Sequence, residues 1–83
     1  MAEIIYTDGS RRQLTPAGTT FQLDELQHYV GGFIEIIPLG DQSFMIVDED
    51  AIIRAKQLNI IASIKLGLPV VGDVIILKGK EFE

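Results

Sequence analysis

Two polar side chains stand among apolar neighbours in this sequence, and they are the first candidates for chemistry. Gln27 borders the apolar side of a predicted helix. Glu35 lies between Phe33 and Ile37 on the same face of a predicted strand. Burying an unpaired amide costs a few kcal/mol, and burying an unpaired charge costs more. Unless it faces water, each side chain needs a partner, and the candidates are the backbone, Arg54, a second subunit or a ligand.

Catalytic chemistry has weaker support. The chain has no cysteine, and its one histidine, His28, is predicted on the exposed side of the helix with no serine beside it. A chain of 83 residues also rarely encloses a cleft by itself. We therefore expect a protein that is not an enzyme.

The acids and glycines that resemble metal or phosphate sites have simpler interpretations. The run Asp48 to Asp50 lacks the alternating acids and central glycine of a calcium loop, which favours a solvated turn. Gly31-Gly32 is typical of a helix end, and Gly72 is typical of a bulge in the last strand. Asn59 is predicted to cap a helix. The sequence therefore predicts no metal and no cofactor.

The elements that position these side chains follow from periodicity and turn signals. Residues 21–30 are predicted to form a helix, and the β-prone runs 33–39 and 43–47 are predicted to form a hairpin at the centre of the sheet. The other predicted elements are an opening hairpin (3–14), a short helix (60–66), a last strand buried on both faces (70–77) and a frayed tail (78–83). Residues 51–58 fit a strand, a loop or a helical turn. The predicted fold class is α+β, a small antiparallel-leaning sheet of four or five strands with one or two helices on one face.

Length and charge restrict the class of protein further. We expect a single domain over residues 1–83, and 47% hydrophobic residues suffice for a packed core. A net charge of −5, with no basic cluster larger than Arg11-Arg12, argues against direct nucleic-acid binding. The absence of cysteine, of a basic leader and of a long apolar run predicts a cytoplasmic protein without a membrane segment or membrane partner. Because so small a domain has modest stability, a homo-oligomer is also expected.

Five short motifs, taken in order, resemble a known family. They are Leu26-Gln27 with Val30-Gly31-Gly32, Ile34-Glu35, Asp48-Glu49, Asn59 with Ala62, and Gly72-Asp73. Their order along almost the whole chain is similar to that of the domain of unknown function 3846 family, small proteins associated with bacteriophages, plasmids and their bacterial hosts. The resemblance implies a mobile-element protein that works in a host cell.

Two functions are compatible with that setting. By analogy with small phage proteins that sequester host immune signals, the resemblance implies a binder of a nucleotide-like molecule at an oligomer interface. Such a site needs aromatic walls, phosphate-binding groups and ribose-binding groups, which the chain offers as Tyr29 or Phe33, Gly31-Gly32 with Arg54, and Gln27 with Glu35. The alternative is an acidic interaction module that inhibits a host protein such as a nucleic-acid-binding enzyme, through an exposed patch around Asp41 and Asp48 to Asp50.

Overall fold

The computed structural model describes residues 2–81, and its five strands join one antiparallel sheet. In chain order the elements are β1 (Ala2–Ile5), β2 (Arg11–Leu14), helix α1 (Leu23–Val30), β3 (Ile34–Pro38), β4 (Ser43–Asp48), helix α2 (Ile60–Leu66), β5 (Val74–Lys78) and a 3₁₀ turn (Gly79–Glu81). The strand order is β2-β1-β5-β4-β3, which confirms the predicted α+β class and number of strands. The predicted frayed tail is instead a strand end and a 3₁₀ turn as far as Glu81, and Phe82 and Glu83 lie outside the described residues.

The last strand, β5, lies at the centre of the sheet. It pairs antiparallel with β1 on one side and with β4 on the other, so that Ile75 lies between Ile4 and Ile46. Both faces of β5 carry fully buried side chains, as predicted. The β3–β4 hairpin forms, but the prediction that it is the centre of the sheet is wrong, because β3 is an edge strand. Glu35 and Pro38 explain this position, since a charge and a proline suit a strand with no neighbour on its outer side.

The two helices lie on opposite faces of the sheet, because successive residues of a strand point to opposite sides. Helix α1 packs on the face that carries Ile4 and Ile46, and α2 packs on the face that carries Ile5 and Met45. The prediction that the helices share one face is therefore wrong. Since the central strands bury apolar side chains on both faces, a helix is needed on each.

Both helices end where the sequence predicts. Helix α1 is followed by Gly31 with a φ of 80°, and α2 by Gly67 with a φ of 83°, in the left-handed region that glycine adopts without strain. The predicted cap of α2 is also confirmed, because Asn59 Oδ1 accepts a hydrogen bond of 3.0 Å from the N–H of Ala62.

The same Asn59 side chain joins α2 to the sheet. It is fully buried, and its Nδ2 donates to the carbonyl oxygens of Ile5 at 3.0 Å and Gly72 at 2.9 Å. Gly72 lies before β5 with a φ of 86°, and its N–H donates to the carbonyl of Gln57 at 2.8 Å. The predicted bulge inside the last strand is therefore wrong, because this glycine belongs to the turn that leads into the strand.

Candidate functional site

The two glycines predicted to bind phosphate terminate α1 with their backbone groups already in use. The carbonyl oxygen of Gln27 accepts hydrogen bonds from the N–H of Gly31 at 2.8 Å and from the N–H of Gly32 at 3.2 Å. An added Cβ at Gly32 would lie 2.9 Å from Asp48 Oδ1, so the side of Gly32 on which a side chain would lie is filled by this carboxylate. These glycines thus serve the helix end, and neither N–H is directed at an open site.

Arg54, the cation predicted for the ligand, holds the end of α1 instead. Its Nη1 donates to the carbonyl oxygen of Gly31 at 2.7 Å and lies 3.8 Å from Asp48 Oδ2. Lys56 adds a second cation, because its Nζ donates to the carbonyl of Val30 at 2.8 Å and lies 2.7 Å from the same carboxylate oxygen. Positive groups at the C-terminus of a helix complement its dipole. We name Asp48, Arg54 and Lys56 the Asp48 cluster.

Asp48 is the buried member of that cluster. It is 3% exposed, so the prediction of a solvated turn is wrong for this residue, although Glu49 beside it is exposed. Burial raises the pKa of the Asp48 carboxyl, but the Lys56 ammonium, the hydrogen bond from the N–H of Asp50 and the charge of Arg54 outweigh it. The net result is a pKa below the ordinary value, so Asp48 is an anion at neutral pH.

The two aromatic candidates have different environments. Tyr29 is half-buried against the core on the α1 face, and its ring meets the ring of the exposed His28 edge to face at 5.8 Å. Phe33 is 62% exposed at the start of β3. Tyr29 thus serves packing, while Phe33 remains available on the surface.

Gln27 and Glu35 do not meet in one pocket. Gln27 belongs to α1, whereas Glu35 pairs with Val47 and points to the face that α2 covers. The cavity beside Glu35 has a volume of about 140 Å³, and small-molecule sites usually need about 300 Å³ or more. Within one chain the two residues therefore share no pocket, because α1 lies on the opposite face of the sheet from Glu35. A pocket completed between subunits stays a prediction. A ligand-binding role of either residue stays a prediction.

The acidic patch predicted around Asp41 and Asp48 to Asp50 is also divided. Asp41 lies in the β3–β4 turn, and Asp48 lies at the opposite end of β4. The carboxylate of Asp41 accepts a hydrogen bond from the Ser43 hydroxyl and lies 3.9 Å from Lys78 Nζ. A cavity of about 520 Å³ adjoins it, and its wall carries Lys80 as well as Lys78, the lysine that lies near Asp41. These acids therefore do not form one surface.

The outer side of β3 presents open backbone groups. The N–H of Glu49 donates to the carbonyl of Phe33 at 2.9 Å, which identifies the odd-numbered residues of β3 as those bonded to β4. The even-numbered residues Ile34, Ile36 and Pro38 therefore direct their backbone groups away from the sheet. Within residues 2–81 no strand lies on that side. Both isoleucines offer an N–H and a carbonyl there, and the proline offers a carbonyl only.

Apolar and acidic side chains surround these backbone groups. Phe33 is 62% exposed and Ile36 is 40% exposed. Glu35 and Glu49 are exposed and lie on the same face of the sheet, because they belong to alternate positions of the β3–β4 ladder. We name this surface the β3 edge. It consists of the outward backbone groups of residues 34, 36 and 38 and of the side chains of Phe33, Glu35, Ile36 and Glu49. The sequence signal that points to it is Pro38 close to Glu35 in an otherwise aliphatic strand.

The described residues form neither a metal-binding cluster nor a membrane-spanning helix. Among residues 2–81, no three histidine or acidic side chains lie close enough to hold a metal ion. In that same part of the chain, neither helix is long and apolar enough to cross a membrane.

Comparison with known proteins gives one match. A family model described as Domain of unknown function (DUF3846) matches residues 2–83. The chain therefore belongs to that family, as the order of its motifs predicts. No curated protein and no solved structure matches the chain.

Proposed function

We propose that this member of the DUF3846 family is a non-catalytic interaction module that binds an extended, basic and apolar segment of a partner protein along the β3 edge. The sequence predicts an interaction module as the alternative function, with a patch around Asp41 and Asp48 to Asp50. We keep that function and move the binding surface to the β3 edge. The observation that carries it is the unpaired backbone of β3 between exposed Phe33 and Ile36, beside the carboxylates of Glu35 and Glu49.

The backbone supplies the affinity in this proposal. An extended peptide that lies beside β3 satisfies the outward N–H and carbonyl groups of Ile34 and Ile36 and becomes a sixth strand. Pro38 has no N–H, so the added ladder ends there and the recognised segment is short. Alternate side chains of the segment then lie beside Phe33 on one face and Ile36 on the other, which favours apolar residues at those positions.

The carboxylates supply the selectivity. A partner residue directly beside Glu35 on the same face lies about 5 Å away, a distance at which opposite charges attract and like charges repel. Glu35 therefore selects lysine or arginine in the partner strand. It also opposes pairing of two copies of β3, since each copy would bring its own carboxylate to the contact. A basic partner in the host cytoplasm agrees with the setting that the resemblance implies.

Nucleotide sequestration has less support in the same geometry. The residues predicted for it are divided between two faces, and the N–H groups of Gly31 and Gly32 are bonded to Gln27. It would require a pocket completed by a second subunit. The β3 edge needs no such addition, and we therefore prefer the interaction module.

The test uses short synthetic peptides as probes. Two capped heptapeptides of alternating valine and threonine carry lysine or glutamate at the centre, and their binding is followed by NMR titration and amide hydrogen exchange. We expect the lysine peptide to bind about tenfold more tightly, because attraction to Glu35 is replaced by repulsion of similar size in the glutamate peptide. Slower exchange is expected at the amides of Ile34 and Ile36, which would enter the new ladder.

A pair of proline variants provides the control. Ile36→Pro removes an outward N–H that no strand in residues 2–81 uses, so the fold is retained and peptide binding is lost. Arg11→Pro makes the same change on the outer side of β2, at the other edge of the sheet, and leaves binding intact. If Ile36→Pro binds the lysine peptide as well as the parent does, or if neither peptide binds the parent, the proposal is wrong.

A further inference from the structure

A second surface of the molecule is apolar without belonging to the β3 edge. Ile60 and Ile64 lie four residues apart on one side of α2 and are 62% and 77% exposed. Leu58 before the helix and Leu68 after it are also largely exposed. These two leucines, the two isoleucines and Pro69 line an open depression of about 420 Å³. We name these five residues the α2 surface.

The α2 surface is contiguous, which distinguishes it from scattered exposed residues. Single exposed aliphatic side chains are normal on soluble proteins, but a connected apolar patch of several hundred Å² usually marks a contact site. No charged residue lines the depression, whereas the chain as a whole carries a net charge of −5. The acidic groups of the protein therefore lie elsewhere.

We infer that the α2 surface binds the α2 surface of a second copy of this chain, in a symmetric dimer. Two acidic copies repel each other least where no charged group faces the contact, and the lining of this depression is uncharged. A two-fold contact uses the same patch on both copies, so an apolar patch is complementary to itself.

The size of the surface predicts a weak dimer. Four large side chains that each hide about 100 Å² on burial supply about half of the roughly 800 Å² per partner that a standard interface buries. The contact thus belongs to the small, transient class, with a dissociation constant on the order of 10–100 µM. At low concentration the protein is expected to be a monomer of 9.2 kDa.

Sedimentation equilibrium of the full chain tests this inference. From about 1 µM to about 1 mM, a range that brackets the expected dissociation constant, the mass should rise from 9.2 kDa towards twice that value. Ile64→Asp, which puts a charge in the middle of the contact, should stay at 9.2 kDa over the whole range. Ile60→Asp, one turn away, should act in the same way.

The matched control is Leu23→Asp. Leu23 is a large apolar residue that is 53% exposed on α1, on the other face of the sheet. This variant should dimerise as the parent does, and circular dichroism checks that all three variants are folded. A parent mass that stays at 9.2 kDa near 1 mM overturns the inference. An Ile64→Asp variant that still dimerises overturns it as well, and so does equal loss in Leu23→Asp. Ile64→Asp should bind the lysine peptide as the parent does, which separates this surface from the β3 edge.

Discussion

The ends of the two helices are held to the sheet by buried polar side chains of different chemistry. On the α1 face, the charged Asp48 is 3% exposed and draws Arg54 and Lys56 onto the last carbonyls of the helix. On the α2 face, the neutral Asn59 is fully buried, caps the helix and donates to two carbonyls of the sheet side. One connection is an ion cluster, and the other is a set of neutral hydrogen bonds.

The comparison shows two ways of satisfying a buried polar group. The amide of Asn59 uses its oxygen and both of its N–H groups within 3.0 Å, so nothing in it remains unpaired. The carboxylate of Asp48 needs two long cationic side chains, and its Oδ2 has an ion-pair contact with Lys56 but no hydrogen bond of ordinary geometry among the described residues. Burying a charge carries a desolvation cost that a neutral amide avoids. We therefore expect the Asn59 connection to contribute more stability.

The largest expected effect is that of Asn59→Ala. The substitution removes the cap of α2 and leaves the carbonyls of Ile5 and Gly72 without their donor, which should lower the free energy of unfolding by about 3 kcal/mol. Urea unfolding at pH 7 measures it. Gln57→Ala, at an exposed amide nearby, is the control and should change stability by less than about 0.5 kcal/mol. Equal effects of the two variants would contradict the role given to Asn59.

Asp48→Asn should have the next largest effect. It keeps the shape of the side chain but removes the charge that pairs with Lys56 and Arg54, at an expected cost of about 2 kcal/mol. This value lies below that of fully buried pairs because both cations reach solvent. Glu49→Gln, at the exposed neighbour, should be nearly neutral in the same urea experiment. If Asp48→Asn is as stable as the parent, the attraction between Asp48 and its two cations does no more than offset the cost of removing the Asp48 charge from water.

The dependence of stability on pH should distinguish the two connections, with a smaller effect than either substitution. Because the pKa of Asp48 is lower in the folded protein than in the unfolded chain, its contribution is complete above the unfolded pKa, near 4, and is lost as pH falls through the folded pKa. The difference in unfolding free energy between the parent and Asp48→Asn should therefore narrow below about pH 4. The difference between the parent and Asn59→Ala should not follow this course, since an amide does not titrate. Parallel urea series across that range distinguish the two.

The contrast also explains what the sequence can predict. The cap by Asn59 and the glycine ends of both helices are local signals, and the structure confirms them. The burial of Asp48 depends on Arg54, on Lys56 and on the end of α1. The hydrogen bonds that join these two cations to the helix end span 23 and 26 residues, respectively. No local pattern reveals such contacts. The run of three acids around Asp48 instead has the composition of a solvated turn.

The order of the strands in the sheet is the second feature that the sequence does not reveal. Glu35 and Pro38 mark β3 as an edge strand once that possibility is considered, and they account for an acid inside an aliphatic run. The position of β5 between β1 and β4 rests on pairing between residues far apart in the chain. Without it, the two helices cannot be assigned to different faces. The α+β class was therefore accessible from the sequence, while the layer of each candidate residue was not.

The central position of β5 also has a consequence for how the protein is made. The hairpins β1–β2 and β3–β4 leave the ribosome first, and each lacks the neighbour that would join them until β5 has been synthesised. At about 5–20 residues per second, synthesis from the end of β4 to the end of β5 takes about 2–6 seconds. A nascent chain that stops before Val74 would present two separate hairpins with apolar surfaces to chaperones and proteases, and one further strand would turn them into a single sheet.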